Sequence, residues 1–299
     1  MRVISLSLIF IYYEHIFFIL LSRELQAYLI ILDETLAPVS LSRMISLWTL
    51  SISFIAGACA GSFFYTLARC YAAGAIKENP WKALFSRSSC PSCKKPIPPL
   101  LLIPIIGYVI TRGRCGHCAG KISIRYPLAE TAYGLLAVLF SWKMDITVIS
   151  ALLFLLACIA LCIAIVDISS LSIPDSLVVA FILFSIYPVI LSSDFADHGL
   201  GLLVMAAVFG LVLVIFPGSF GFGDVKFASA IGFFSGLEYS LVVLEVALIS
   251  GALFGVSYAA VKKTGLRVKI PFAPFLSLGL IVSMLWGREI LLIYFRMLL

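Results

Sequence analysis

Long runs of apolar residues follow one another along most of this chain, separated by short polar stretches. A helix of about 20 apolar residues crosses a bilayer core about 30 Å thick. The stretch 224–236 is short for this, which predicts a tilted or only partly spanning helix. The pattern predicts an all-α polytopic membrane protein with about eight transmembrane helices, at 45–68, 127–143, 146–166, 174–192, 199–217, 224–236, 239–261 and 271–295.

The first 43 residues fit this pattern less well. Residues 3–21 are apolar, but Glu14 and His15 lie in their middle. No small-residue cleavage site follows them, so we expect no signal peptide. Residues 1–43 are therefore either a ninth span or an extension upstream of the core, with Met44 as an alternative start.

Composition agrees with a membrane protein and argues against a soluble one. Hydrophobic residues make up 62% of the chain and charged residues only 12%, whereas soluble domains carry roughly a quarter charged residues. A chain of 299 residues is long enough for eight or nine spans.

Basic residues concentrate in the one long stretch that is not apolar, residues 70–126. Ten Lys and Arg lie within it or at its borders, against Glu78 as its single acid. The loop 262–269 is basic as well, whereas Asp194 and Asp197 lie in a loop without Lys or Arg. The positive-inside rule therefore places residues 70–126 and 262–269 in the cytoplasm. Topology explains the charge, so we expect no nucleic-acid partner.

Four cysteines in this basic stretch have the spacing of a metal site, C-x2-C-x21-C-x2-C: Cys90, Cys93, Cys115 and Cys118. Each pair can direct two thiolates at one ion, which predicts a structural zinc with a closed tetrahedral shell. About 55 residues bury little core, so a metal would supply stability. Two disulfides or a redox dithiol are the alternatives, which a cytoplasmic location disfavours. We expect His117 to be a bystander.

Small residues within the spans have a packing interpretation. Gly57 and Gly61 form a small-xxx-small face that favours close helix packing. Cys158 and Cys162 lie one helical turn apart, and we expect them to pack as small apolar side chains.

Two aspartates at the ends of apolar stretches are the candidate catalytic residues. Asp167 follows the apolar run 158–166, and Asp224 ends the sequence Gly-Phe-Gly-Asp at 221–224. A carboxylate beside a span costs about 2.5–3.5 kcal/mol, so it tends to mark function. Two carboxylates held close share a proton, so one can activate water while the other polarises a carbonyl. This predicts an aspartyl protease within the membrane.

Asp175 and Lys226 lie near the same ends. Asp175 follows Pro174, and an acid in the first turn of a helix is stabilised by the helix dipole, so we expect a structural role. We expect Lys226 to extend toward lipid headgroups rather than to hold a carboxylate. Two alternatives to the main interpretation are a membrane aspartyl protease with other substrates and a non-enzymatic ion pathway through the aspartates.

Five blocks of the chain resemble the bacterial prepilin peptidases, which are type IV leader peptidases of the Gly-x-Gly-Asp kind. A weaker sixth block is 271–275. The resemblance covers about residues 57–275, through Gly61–Phe63 with Arg69, the four cysteines, 122–130, 167–175 and 221–232.

The resemblance implies a function and a location. The catalytic pair would be Asp167 and Asp224. The substrates would be type IV pilin or type II secretion pseudopilin precursors, cut after a glycine at the cytoplasmic face of the bacterial inner membrane. Many members then methylate the new N-terminus with S-adenosylmethionine.

Departures from the family concern this methylation. Tyr65 stands where the family usually has Asn, and Leu101-Leu102 stand where it usually has Asp-Asn. These losses leave S-adenosylmethionine an open question and do not affect proteolysis. The expected domains are an extension or extra span (1–43), a first core helix (44–69), a cytoplasmic zinc-binding domain (70–126) and a transmembrane peptidase domain (127–299).

Overall fold

The computed structural model describes residues 39–78, 88–90, 92–144, 146–215, 221–262 and 270–298. Residues 1–50 and 51–299 form separate compact units, and of the first unit only residues 39–50 are described. The apolar run 3–21 and most of the basic loop 262–269 lie outside the described residues.

Helices occupy the predicted apolar stretches. They are α1 (Val39–Ala72), α2 (Ala75–Glu78), α3 (Ile106–Ile110), α4 (Arg125–Lys143), α5 (Val148–Ser170), α6 (Asp175–Ser192), α7 (Phe195–Ile215), α8 (Phe222–Lys262) and α9 (Ala273–Leu298). A 3₁₀ turn covers Pro99–Leu102. By length and hydropathy, six of the described helices can cross a membrane: α1, α5, α6, α7, α8 and α9. The all-α polytopic fold is therefore confirmed. Helix α4, on the predicted span 127–143, is not among them, because it carries charged residues and is less apolar.

Helix α5 is the most buried of the six candidate membrane spans. It begins after Thr147, whose side chain and that of Ser150 exchange hydrogen bonds with each other's backbone N–H. Its apolar residues leave no polar face before Asp167, and a helix that is hydrophobic all round is a buried one. Cys158 and Cys162 are fully buried in its core-facing surface, which confirms their predicted packing role.

Helix α8 contains two predicted spans, 224–236 and 239–261, joined through a break. Gly236 has φ 73° and ψ 177°, a conformation that suits glycine. A straight helix of this length would measure roughly 60 Å, about twice the thickness of a bilayer core. The break divides the helix into α8a (222–235) and α8b (237–262).

Side chains at the start of α7 replace the hydrogen bond that this break removes. In a continuous helix the N–H of Leu237 would donate to the carbonyl of Phe233. Instead, the Leu237 N–H donates to Asp197 Oδ1 over 3.1 Å, and His198 Nδ1 lies 2.8 Å from the Phe233 oxygen. A carbonyl only accepts, so Nδ1 carries the proton. His198 Nε2 lies 2.7 Å from Ser192 Oγ, which ties in the end of α6.

Glycines allow two pairs of helices to touch backbone to backbone. A Cβ atom on Gly201 of α7 would lie 2.5 Å from the carbonyl oxygen of Gly232 in α8a. Likewise, a Cβ atom on Gly57 of α1 would lie 2.5 Å from Ala137 Cβ of α4, and one on Gly61 would lie 2.9 Å from Tyr133 Cβ. The predicted small-xxx-small contact is therefore confirmed, with α4 as its partner.

Candidate active site and metal centre

Asp167 lies near the end of α5 and is only 5% exposed. Its Oδ2 accepts a 3.1 Å hydrogen bond from the N–H of Ala273, and the N–H of Phe272 also donates to the carboxylate. Ala273 is the first residue of α9, so the carboxylate lies at the positive end of that helix dipole. The block 271–275 therefore supplies backbone donors to Asp167.

Asp224 lies in the first turn of α8a and is 9% exposed. Its Oδ2 accepts a 2.9 Å hydrogen bond from the N–H of Gly221, and its own N–H donates to the Gly221 carbonyl over 3.0 Å. The other oxygen, Oδ1, is buried and has no hydrogen-bond partner among the described residues. Buried polar atoms nearly always have a partner, so this oxygen is an exception that points to function.

The segment between α5 and α6 brings the two aspartates together. A Cβ atom on Gly223 would lie 3.0 Å from Ile173 Cβ, so the glycine lets the first turn of α8a approach this segment closely. Asp167 and Asp224 are near enough to interact electrostatically. Two carboxylates from separate helices thus share one buried site.

Asp175 lies at the exposed first turn of α6 and pairs with a lysine. Its Oδ1 is 2.7 Å from Lys226 Nζ, and the same ammonium lies 5.2 Å from the centre of the Phe222 ring. The expectation that Lys226 extends toward headgroups instead of holding a carboxylate is therefore wrong, because the starts of α6 and α8 are adjacent. The side chain of Asp175 is 71% exposed and that of Lys226 is 41% exposed. Ion pairs this exposed contribute only about 0–1 kcal/mol to stability.

The four predicted metal ligands lie together. The Sγ atoms of Cys90, Cys93, Cys115 and Cys118 are all within 4.8 Å of one another. Cys90 and Cys118 are separated by 3.8 Å, and Cys93 and Cys115 by 4.0 Å. A disulfide needs about 2.05 Å, so these cysteines are unpaired thiols. A tetrahedral ion with bonds of about 2.3 Å would separate its sulfur ligands by about 3.8 Å, so the cluster fits such an ion.

The two cysteine pairs are built on the same turn. The N–H of Lys94 donates to the carbonyl of Cys90, and the N–H of Ala119 donates to that of Cys115, over 2.9 Å in both cases. Lys94 and Ala119 have φ of 58° and 55°. Because the two turns have the same hydrogen bond and the same positive φ, both cysteine pairs direct their thiols toward the centre of the cluster.

Backbone donors favour the thiolate at the first cysteine of each pair. The N–H of Cys93 makes the largest contribution to lowering the pKa of Cys90, to about 6. The N–H of His117 similarly lowers the pKa of Cys115. Thiolates are the form that binds metal. The imidazole ring of His117 is not part of the cysteine cluster. Among the described contacts, His117 contributes only its backbone N–H, which donates to Cys115 Sγ.

A buried carboxylate outside the aspartate pair joins the cysteine-containing segment to α4. Glu130 is 7% exposed, and its Oε2 accepts a 2.7 Å hydrogen bond from the N–H of Ile105. On the neighbouring surface of α1, Tyr65 is buried with its ring 4.8 Å from that of Tyr126. Sequence reasoning included Glu130 in a family block but did not predict its partner, because a backbone N–H leaves no side-chain pattern.

Known proteins resemble this chain over most of its length. Residues 55–144 match the bacterial peptidase A24 N-terminal domain, and residues 154–256 match the type IV leader peptidase family. A prepilin leader peptidase/N-methyltransferase of Bacillus subtilis (strain 168) is 31% identical over 253 residues, which is 83% of this chain and 98% of the relative.

Two further relatives carry the same name. The protein of Legionella pneumophila is 31% identical over 216 residues, 69% of this chain and 74% of the relative. That of Pseudomonas aeruginosa is 28% identical over 227 residues, 74% of this chain and 78% of the relative. No solved structure matches the chain significantly.

The matched ranges include both clusters described above. The first contains the four cysteines, and the second contains Asp167 and Asp224. Together the two ranges cover more than half of the chain, and the Bacillus relative aligns over almost its whole length. The chain therefore belongs to the bacterial type IV leader peptidase family.

Proposed function

We propose that the protein is a prepilin leader peptidase in which Asp167 and Asp224 are the catalytic pair. The observation that carries this proposal is one buried site holding two carboxylates from different helices, with Asp224 Oδ1 lacking a partner among the described residues. The relatives' names support the reaction class. The substrates are the precursors of type IV pilins or type II secretion pseudopilins.

The chemistry follows from two carboxylates in one site. Repulsion keeps one of them protonated while the other is ionised. The ionised group accepts a proton from water as the water attacks the scissile carbonyl. The protonated group polarises that carbonyl and then donates its proton to the departing amine. The N–H groups of Gly221 and Ala273 orient the two carboxylates.

We further propose that Cys90, Cys93, Cys115 and Cys118 hold a structural zinc ion. Four thiolates close the tetrahedron and leave no position for water, so zinc would stabilise the fold and take no part in hydrolysis. The two turns have the same backbone hydrogen bond and similar positive φ values, which supports one ion bound between them.

Methyl transfer is a second candidate activity, favoured by the relatives' shared name. S-adenosylmethionine needs several convergent polar groups. Of the polar groups on α1 and α4, Glu130 accepts a hydrogen bond from the N–H of Ile105, and Arg69 lies near the side chain of Tyr126. Tyr65 and the Leu101-Leu102 pair add none of the amide or acid groups that the family usually offers. Mass spectrometry of a mature pilin for one added N-terminal methyl group tests this activity.

The distribution of charge along the chain supports a proposal for its location. The protein spans a bacterial membrane several times. We propose the inner membrane, with the peptidase site and residues 70–126 facing the cytoplasm, because the basic residues concentrate there. Residues 127–299 would form the transmembrane peptidase domain.

The experiment incubates the purified full chain, in lipid nanodiscs, with a pilin precursor and measures the precursor mass. We expect loss of a leader-sized mass, and no loss from a precursor whose glycine before the cleavage site is replaced by a bulky residue. Folded protein that leaves the precursor intact would contradict the proposal. Ion flux through liposomes in that case would support the ion-pathway alternative.

A further inference from the structure

An exposed group of apolar side chains lies on the short segment between the two cysteine pairs. Residues 99–110, here called the apolar segment, comprise the 3₁₀ turn and α3. The exposed fractions of Leu100, Val109 and Ile110 are 75%, 66% and 65%. Leu102, Ile103 and Ile106 are exposed as well. Single exposed apolar residues are ordinary, but a contiguous group of this kind marks an interaction surface.

A hydrogen bond fixes the position of this segment along α4. The N–H of Ile105 donates to Glu130, which lies five residues after the start of α4 at Arg125. Five residues of helix measure about 7.5 Å. The sequence predicts a span that begins at residue 127, so the middle of the apolar segment lies beside the first two turns of α4, where that predicted span would begin.

Several backbone N–H groups of the apolar segment have acceptors within the protein. The N–H groups of Ile105, Gly107 and Val109 all donate to acceptors within the protein. Pro99 and Pro104 have no N–H to satisfy. Backbone donors at membrane depth need such internal partners, because no water is available there.

Basic residues surround the apolar segment in the sequence. Lys94 and Lys95 precede it, and Arg112 and Arg114 follow it. Cationic side chains at the edge of an inserted apolar surface attract anionic lipid headgroups. The basic residues and the exposed apolar side chains therefore both fit a membrane surface that contains anionic lipids.

We propose that the apolar segment inserts into the interface of the membrane leaflet next to the cysteine cluster. Leu100, Val109 and Ile110 would contact acyl chains, while Arg112 and Arg114 would contact anionic headgroups. The surface would continue onto α4, where Leu128 is exposed. This inference does not depend on the peptidase reaction.

The test places a photoreactive benzoylphenylalanine at Val109 of the full chain in nanodiscs that contain phosphatidylglycerol. The control carries it at His117, which is exposed on the turn of the second cysteine pair. We expect lipid adducts at position 109 and none above background at 117. Absence of a lipid adduct at 109 would overturn the proposal, as would equal labelling at both positions.

A competing occupant is the substrate, so the same irradiation is repeated with a pilin precursor present. Replacement of the lipid adduct by a precursor adduct would overturn the lipid assignment and identify a substrate-docking surface. The double variant Arg112→Gln, Arg114→Gln should lose adduct in phosphatidylglycerol nanodiscs but not in neutral ones. Unchanged labelling in both lipids would contradict the headgroup contact. Metal content and thermal unfolding establish that each variant is folded.

Discussion

Substituting Gly201 by alanine tests the close contact between α7 and α8a, which positions Asp224. The added Cβ atom would lie 2.5 Å from the Gly232 oxygen and 2.6 Å from the carbonyl carbon of Gly236. Ordinary contacts begin near 3.4 Å, and the opposing atoms are backbone, so the helices must separate by about 1 Å. We expect Gly201→Ala to lower the free energy of unfolding by about 1–3 kcal/mol. That corresponds to a roughly 5–150-fold change in the folded-to-unfolded ratio.

Gly199 provides the matched control, since it lies two residues earlier on the same helix. A Cβ atom there would meet nothing within 4 Å. Gly199→Ala should therefore stabilise the helix by up to about 1 kcal/mol. Denaturant unfolding in detergent, followed by circular dichroism, measures both variants, and precursor cleavage should fall only for Gly201→Ala. Equal stability of the two variants would refute the contact argument.

Three further predictions concern separate parts of the molecule. Asp175→Asn and Lys226→Met should each reduce cleavage by no more than a few fold, because their exposed ion pair contributes about 0–1 kcal/mol; a double-mutant cycle with a larger coupling energy would contradict this. Cys90→Ser should abolish the expected one zinc per chain, as measured by elemental analysis, whereas Cys59→Ser on the exposed surface of α1 should retain it. Because protons compete with zinc for the thiolates, zinc content should fall as the pH is lowered, and zinc content that is independent of pH down to strong acid would contradict thiolate ligation. Asp197→Ala should lower unfolding stability by about 1–3 kcal/mol by leaving the Leu237 N–H without its acceptor, while Asp197→Asn keeps an oxygen acceptor and should remain near the original stability.

The helices and the grouping of the cysteines were predictable because their signals are local. A membrane helix needs a continuous apolar run, and Glu238 interrupts the run in α8 close to the break at Gly236. The cysteine spacing fixed which thiols would meet. The resemblance to the family also identified Asp167 and Asp224, although their catalytic role stays a prediction.

The contacts that complete the site were not predictable because they join residues far apart in sequence. Ala273 holds Asp167 from 106 residues away, through a backbone N–H that every non-proline residue has. The role of Lys226 depended on whether the starts of α6 and α8 are adjacent, which no local pattern shows. A hydropathy pattern also does not predict the hydrogen bond from the Leu237 N–H to Asp197.

The most direct test of the central claim is precursor cleavage by Asp167→Asn and Asp224→Asn, each compared with Asp175→Asn at equal amounts of folded protein. Asparagine preserves the shape of the side chain but cannot exchange the proton, so each of the first two variants should lose activity by at least about 10³-fold. Asp175→Asn should remain within a few fold of the unmodified enzyme. Cleavage by Asp167→Asn or Asp224→Asn within tenfold of the unmodified rate, or its loss in Asp175→Asn alone, would contradict the account.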